Sequence, residues 1–395
     1  MPKSELSSIR HQYGGVRLSS LWSWTVFVVV CLLLLGGLEF GAQLHHRYKH
    51  GDMATYKPQH LIDFYRFYKV NPEYGAPHIR INSAGFRNVE EILPNKSENV
   101  FRIVLMGGST VWGDDAHSPM SGIIVNEETI AAHLERILNA RGASLGSSIT
   151  VQVINAGVMG YRLFQDVAYF DYRVSEFRPD LVIAIDGHND LDALQLGVES
   201  YRHKQDSVYD KAMNNPGIGD VIGQVVKFAE THSVFIRKFL SKVKEAANTA
   251  ALQGAEWKGQ FVNPPSEPQI QRWSEAYVTT ARRFDSSVRI AGGRLLLVVQ
   301  TEALGEQHKP FTPEEVKIRE VWKYYEWLHT VGRTRLISAM RDASKSHNLW
   351  FEDISDVFRS ERDQVYLDYT HLTSKGGLLV AERLGRVVEG SIFKR

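Results

Sequence analysis

The chain is 395 residues long, 43% hydrophobic and 23% charged, with a formal net charge of +1 and a single cysteine. That length and apolar content suit one large domain or two ordinary ones around a buried core, and exclude a disordered chain. The near balance of charge argues against nucleic acid or another polyanion as the main partner. One cysteine, Cys31, rules out an intramolecular disulfide and a cysteine-rich metal site.

The first element is "LWSWTVFVVVCLLLLGGLEFGA", Leu21 to Ala42, which carries no charge as far as Leu38. At helical rise this run approaches the length needed to cross a hydrocarbon core of about 30 Å, and Trp22 and Trp24 stand where interfacial rings are expected. The expectation is an uncleaved anchor over 21–42 after a short tail (1–20), with a cleaved signal peptide as its competitor. Lys3, Arg10 and Arg17 precede the span and Arg47, Lys49 and Lys57 follow it, so charge does not choose an orientation. Residues 43–100, including His45 and His46 beside the span, the aromatic stretch Phe64 to Tyr68 and "INSAGFRN" (81–88), read as a stalk and lead-in.

From 101 onward, short β-branched runs alternate with helical patterns, as in a parallel sheet covered on both faces. Strands are predicted at 101–107, 150–156, 180–186, 294–300 and 349–354. Helices are predicted over 127–141, over "SEAYVTTARRFDSSVRIAG" before the fourth strand, and after Thr373 or Ser374, a plausible N-cap. The interval 190–293 is longer than a crossover needs and contains "NNPG" and "NPPSEP", so a helical insert is expected there. In "VWKYYEWLHT" (321–330), Trp322 and Tyr325, or Tyr324 and Trp327, share helix faces; packing is the plainer reading and sugar stacking the sharper one.

The strand ends carry the chemistry. Strand one ends at "GGST" with Ser109, strand two at "NAGVMGY" with Asn155, Gly157 and Gly160, and strand three at "GHND" with His188, Asn189 and Asp190; "DYTH", Asp368 to His371, follows strand five. In an open α/β sheet these positions meet at the carboxyl edge. Ser109 could attack a carbonyl, His371 take its proton and Asp368 orient the imidazole. The Ser109 and Gly160 N–H groups and the Asn189 amide could hold the oxyanion. Alone, Ser109 could be a helix cap, Asp190 or Asn189 could cap the next helix, and His188 could be a surface residue rather than part of a pocket. "GGSTVWG" lacks the Lys-Ser/Thr ending of a phosphate loop, and neither a metal-ligand cluster nor a dinucleotide fingerprint is present, so no cofactor is expected.

In type, order and spacing these four blocks resemble the SGNH hydrolases, the GDSL-type esterases, over roughly residues 80 to 390, and "INSAGFRN" looks like the lead-in of bacterial membrane-anchored members. The serine block departs from the family pattern, with Gly108 where an acid often precedes the nucleophile. The resemblance implies a three-layer α/β/α sandwich with a parallel sheet of about five strands over 101–395. It assigns Ser109, Asp368 and His371 as triad, with Gly160, Asn189 and the Ser109 N–H as oxyanion hole; His188 and Asp190, close in sequence to Asn189, are expected as pocket residues. It also implies an extracytoplasmic carbohydrate O-acetylesterase acting on an acylated glycan or other small ester. A lipase, thioesterase or O-acyltransferase with the same triad, and a non-catalytic glycan-binding or cell-envelope assembly protein, are the alternatives.

Overall fold

The computed structural model describes residues 18–50, 60–63, 67–74, 79–113, 124–195, 233–242 without 237 and 241, and 265–393 without 307, 324 and 325. These residues fall into two units, one with the N-terminal helix and 233–242, the other with everything from 60 to 195 and from 265 onward.

In the first unit, α1 (Leu18–His50) is one helix of 33 residues. Its stretch Trp24–His45 has a mean hydropathy of 2.2 and is long and apolar enough to cross a membrane, which fits either an anchor or a signal sequence.

The second unit begins with an antiparallel hairpin, β1 (His60–Asp63) and β2 (Phe67–Val70). This part of the expected stalk therefore contains paired strands, and Phe86 and Arg87 of "INSAGFRN" are fully buried within the unit. Next come β3 (Val100–Gly107), α2 (Ser109–Trp112), α3 (Ile130–Ser144), β4 (Thr150–Asn155), α4 (Leu163–Tyr172), β5 (Leu181–Asp186) and α5 (His188–Gln195). The remaining elements are α6 (Glu267–Ile290), β6 (Arg294–Val299), α7 (Pro313–Trp322), α8 (Glu326–His347), β7 (Trp350–Glu352) and α9 (Ser374–Ile392). The expected α/β fold with a five-strand parallel sheet between helices is the observed one, in the order β4-β3-β5-β6-β7.

Alternation along β3 builds the two layers. Ile103 and Leu105 face a core shared with Leu134 and Leu138 of α3 and Leu384 and Val388 of α9. Val104 and Met106 face the opposite core, with Phe170 of α4, Trp273, Tyr277 and Phe284 of α6, and Leu336 and Met340 of α8. All six residues of β5 are buried, so each large aliphatic side chain there contributes about 2 kcal/mol of burial.

Helix starts follow the local chemistry. Thr129 and Thr373 cap α3 and α9 with their hydroxyls, and a Ser266/Gln269 capping box starts α6. Of the expected insert over 190–293, residues 190–195 continue α5 and α6 is the crossover helix into β6; positions 196–232 and 243–264 lie outside the described residues. The strand order reverses between β3 and β5, because the chain leaves β3 for β4 on one side and resumes at β5 on the other. Their carboxyl ends therefore flank the crevice where open α/β sheets bind ligands.

Candidate active site

That crevice receives Ser109 from the end of β3 and Asn189 from the end of β5. Gly108 caps α2 with extended backbone, so Ser109 is the first helical residue and half-buried. The glycine in place of an acid has a local reason: a Cβ at 108 would lie 2.5 Å from Asn189 Nδ2. Asn189 thus occupies the space a side chain there would take.

The loop after β7 brings the other two groups. His371 Nε2 lies 2.7 Å from Ser109 Oγ, and His371 Nδ1 lies 2.6 Å from Asp368 Oδ2. Asp368 Oδ1 accepts from the backbone N–H groups of Thr370 at 2.8 Å and His371 at 2.7 Å, which closes the turn. Burial acts to raise the Asp368 carboxyl, but the His371 side chain and these two N–H groups outweigh it and hold the carboxyl below its ordinary value. A carboxylate that stays ionised keeps the Nδ1 proton in place, so Nε2 can accept from the serine.

Opposite stands the glycine block. Asn189 Nδ2 donates to Tyr161 O at 2.8 Å, which uses one of the two amide hydrogens and ties α5 to the residue after Gly160. Gly160 is exposed, with φ of +75°, and a Cβ there would come within 2.9 Å of the Tyr68 hydroxyl. Only glycine meets both conditions without strain. Asn155 supports the turn from below, donating to Val111 O at 3.0 Å and accepting from Gly157 N at 3.1 Å.

The two residues expected to line a pocket are buried. Asp190 accepts from Gly187 N at 3.3 Å, a backbone contact from the first turn of α5 rather than a capping position before it. It lies in a core with Asp166 and Asp186, all three almost fully inaccessible. Burial pushes Asp166 up to about 8, and burial reinforced by neighbouring acids sets Asp186 and Asp190 well above the usual carboxylate range. His188 is not a surface residue: its Nδ1 is 2.6 Å from Glu302 Oε2, which also meets His329 Nδ1 at 2.8 Å. Burial opposes ionisation of Glu302, yet the two imidazoles outweigh it and hold its carboxyl well below the ordinary range.

Among the described residues, His188, Glu302 and His329 form the one group whose ligand atoms lie close enough to hold a metal ion, within 4.8 Å of one another. Both contacts to the shared oxygen have hydrogen-bond lengths, so two imidazoles share Glu302 Oε2, while Glu302 Oε1 is buried without a hydrogen-bond partner among the described residues. The His188 ring packs on Tyr369 at 5.2 Å, which binds α5 to the loop carrying Asp368 and His371. Tyr369 in turn stacks at 4.5 Å on Trp322, both half-buried. Of the aromatic run, Tyr324 and Tyr325 lie outside the described residues.

Three further groups were not singled out from sequence. Gln300, just after β6, donates from Nε2 to Thr110 Oγ1 and Thr370 Oγ1, each at 2.7 Å, joining the residue after the serine to the residue before the histidine. Glu302 and His329 make the cluster described above. Arg87 donates to Trp112 O at 2.7 Å, Gly113 O at 2.8 Å and Ile124 O, and so satisfies the carbonyl end of the short α2. Its signal was present in "INSAGFRN" but carried no assigned role.

No family model and no curated protein matches this chain. Solved structures do resemble it at low identity. An α/β hydrolase enzyme, LAE5, from the metagenome of Lake Arreo is 12% identical with a TM-score of 0.39, covering 74% of this chain and 95% of its own. The acetylxylan esterase Axe2 from Geobacillus stearothermophilus is 15% identical with a TM-score of 0.36, covering 72% and 92%. A lipase/acylhydrolase from Enterococcus faecalis is 15% identical with a TM-score of 0.37, covering 73% and 96%. At that distance the side-chain geometry of this chain, rather than the likeness, decides what its site can do.

Proposed function

We propose that this protein is a serine esterase of the SGNH type that removes O-acyl groups, acetyl above all, from a glycan through an acyl-enzyme. The observation that carries the reading is the unbroken contact Asp368–His371–Ser109 at 2.6 and 2.7 Å. In this scheme Ser109 Oγ gives its proton to His371 Nε2 and attacks the ester carbonyl carbon. The oxyanion is held by the Ser109 and Gly160 N–H groups and the second amide hydrogen of Asn189. Collapse breaks the carbon–oxygen bond to the leaving alcohol, which takes the proton from His371. Water, deprotonated by the same imidazole, then releases the carboxylic acid and restores Ser109.

The half-buried Trp322 and Tyr369 rings pack on each other at 4.5 Å beside the triad loop, and the glycan substrate rests on the resemblance of the four blocks to the SGNH hydrolases. With α1 as a retained anchor, the domain would work outside the cytoplasm, at the cell envelope.

A fluorophosphonate probe tests the chemistry without knowledge of the natural ester. One adduct on Ser109, absent in Ser109→Ala, is expected; a parent chain that does not react would favour a non-catalytic envelope protein. A chain-length series of aryl esters then separates acetyl preference from a lipase or thioesterase. Transfer of the acyl group to added sugar in preference to water would mark an acyltransferase.

A further inference from the structure

The apolar helix α1 contains one acid, Glu39, inside the span Trp24–His45. An acid in such a segment is costly unless partnered. Its partners come from α1 itself and from nearly two hundred residues further along the chain. Oε1 accepts from Val234 N at 3.0 Å and from Gln43 Nε2 at 3.0 Å; Oε2 accepts from Ser233 Oγ at 2.7 Å and Phe235 N at 3.0 Å. Ser233 Oγ also accepts from Ile236 N at 3.0 Å, the bond of an N-cap residue. The carboxylate therefore sits on the first N–H groups of a helical stretch whose described residues are 234–236, 238–240 and 242, where the helix dipole favours negative charge.

That stretch has a mixed outer face. Val234 is buried, whereas Lys238, Phe239 and Lys242 are exposed, and Phe235 and Phe239 stack at 6.3 Å. Rings flanked by lysines at helical spacing suit the boundary between acyl chains and anionic headgroups, where the rings enter and the ammonium groups reach back to phosphate. The seat is at the matching depth, since Glu39 is six residues, about 9 Å, from the His45 end of the span.

We propose that Glu39 seats a second helix at the membrane end of α1, and that this helix rests on an anionic lipid surface through Phe235, Phe239, Lys238 and Lys242. The proposal relies on α1 being a retained span. It also bears on that choice, because removal of α1 as a signal sequence would take away the carboxylate that caps the second helix.

The test uses the full chain with Cys31→Ser and Phe239→Cys, which places one environment-sensitive fluorophore at 239. In vesicles of phosphatidylcholine and phosphatidylglycerol, the label should be quenched by spin-labelled lipid and shielded from aqueous iodide. Glu39→Leu should lower the ratio of seated to unseated helix by about five-fold. Fluorophosphonate labelling of Ser109 monitors the folding of the rest of the chain. If the chain floats with vesicles but its label answers only to iodide, the surface seat is overturned. An unchanged signal in Glu39→Leu overturns the role of Glu39. A mature chain whose intact mass lacks residues 1–42 overturns the anchor reading itself.

Discussion

Replacing Gln300 with leucine tests whether the proposed triad is held in register by a residue outside it, through its bonds to Thr110 and Thr370. The change keeps side-chain volume but removes both 2.7 Å bonds, to Thr110 Oγ1 and Thr370 Oγ1, and a weaker one to Thr370 O at 3.3 Å. Each neutral hydrogen bond contributes about 1 kcal/mol net, and a stranded buried acceptor costs about 1–3 kcal/mol. Thr110 Oγ1 retains its own contact to Thr370 O at 3.3 Å, which limits the damage. The expected loss is therefore about 2–3 kcal/mol, or roughly 2–5 °C in Tm for a chain of this size. The larger effect falls on turnover, because a reacting group displaced by about 1 Å costs on the order of 10² in rate. Hydrolysis of an aryl acetate should show kcat lowered 10- to 100-fold with KM within about twofold, and fluorophosphonate capture of Ser109 slowed in parallel. A variant with lowered Tm but parental kcat would refute the positioning role; unaltered Tm and kcat together would refute the hydrogen-bond reading as well.

Asn189→Ala removes one proposed oxyanion donor and the tie to Tyr161 O, so kcat should fall by about 10²–10³, and parental turnover would count against the oxyanion assignment. Arg87→Met strips the carbonyl end of α2 of its buried donors and should cost at least about 3 kcal/mol in urea unfolding; Arg87→Lys should not restore it, since one ammonium cannot reproduce the guanidinium fork. For Asp166, raised by burial to about 8, the folded state holds a proton that the unfolded chain releases near pH 4. Its contribution to stability is fully present below that unfolded pKa and is lost as pH rises towards 8, with a slope of up to about 1.4 kcal/mol per pH unit. Asp166→Asn should flatten this decline in Tm between pH 5 and about 8, and a parental pH profile would exclude Asp166 as its source.

The four blocks were legible because each combines a strand end with short-range chemistry. An apolar run that stops at Gly-Gly-Ser, or an Asp three residues before a His, states its local geometry within a few positions, and period-2 and period-3.6 patterns state the layers. Gln300 and Glu302 stand at the end of the fourth predicted strand, where the polar residues in "QTEALGE" carry no spacing signal of their own. His188 and Asp190 read as pocket residues from their nearness to Asn189; the structure buries both, Asp190 beside Asp166 and Asp186 and His188 against Glu302, and Asp166 and Glu302 lie too far along the chain for a local pattern to show.

Sequence by itself determined the α/β class, the order of the strands along the chain, the apolar N-terminal helix and the residue types at each strand end, because these depend on periodicity and on contacts a few residues long. Only the tertiary structure decided the strand order in the sheet, the 2.7 Å approach of His371 to Ser109, the glutamate shared by His188 and His329, and the seat of Ser233 on Glu39. These pairs lie from 27 to 262 positions apart, and what joins them is the packing of whole elements, which no local pattern of residues encodes.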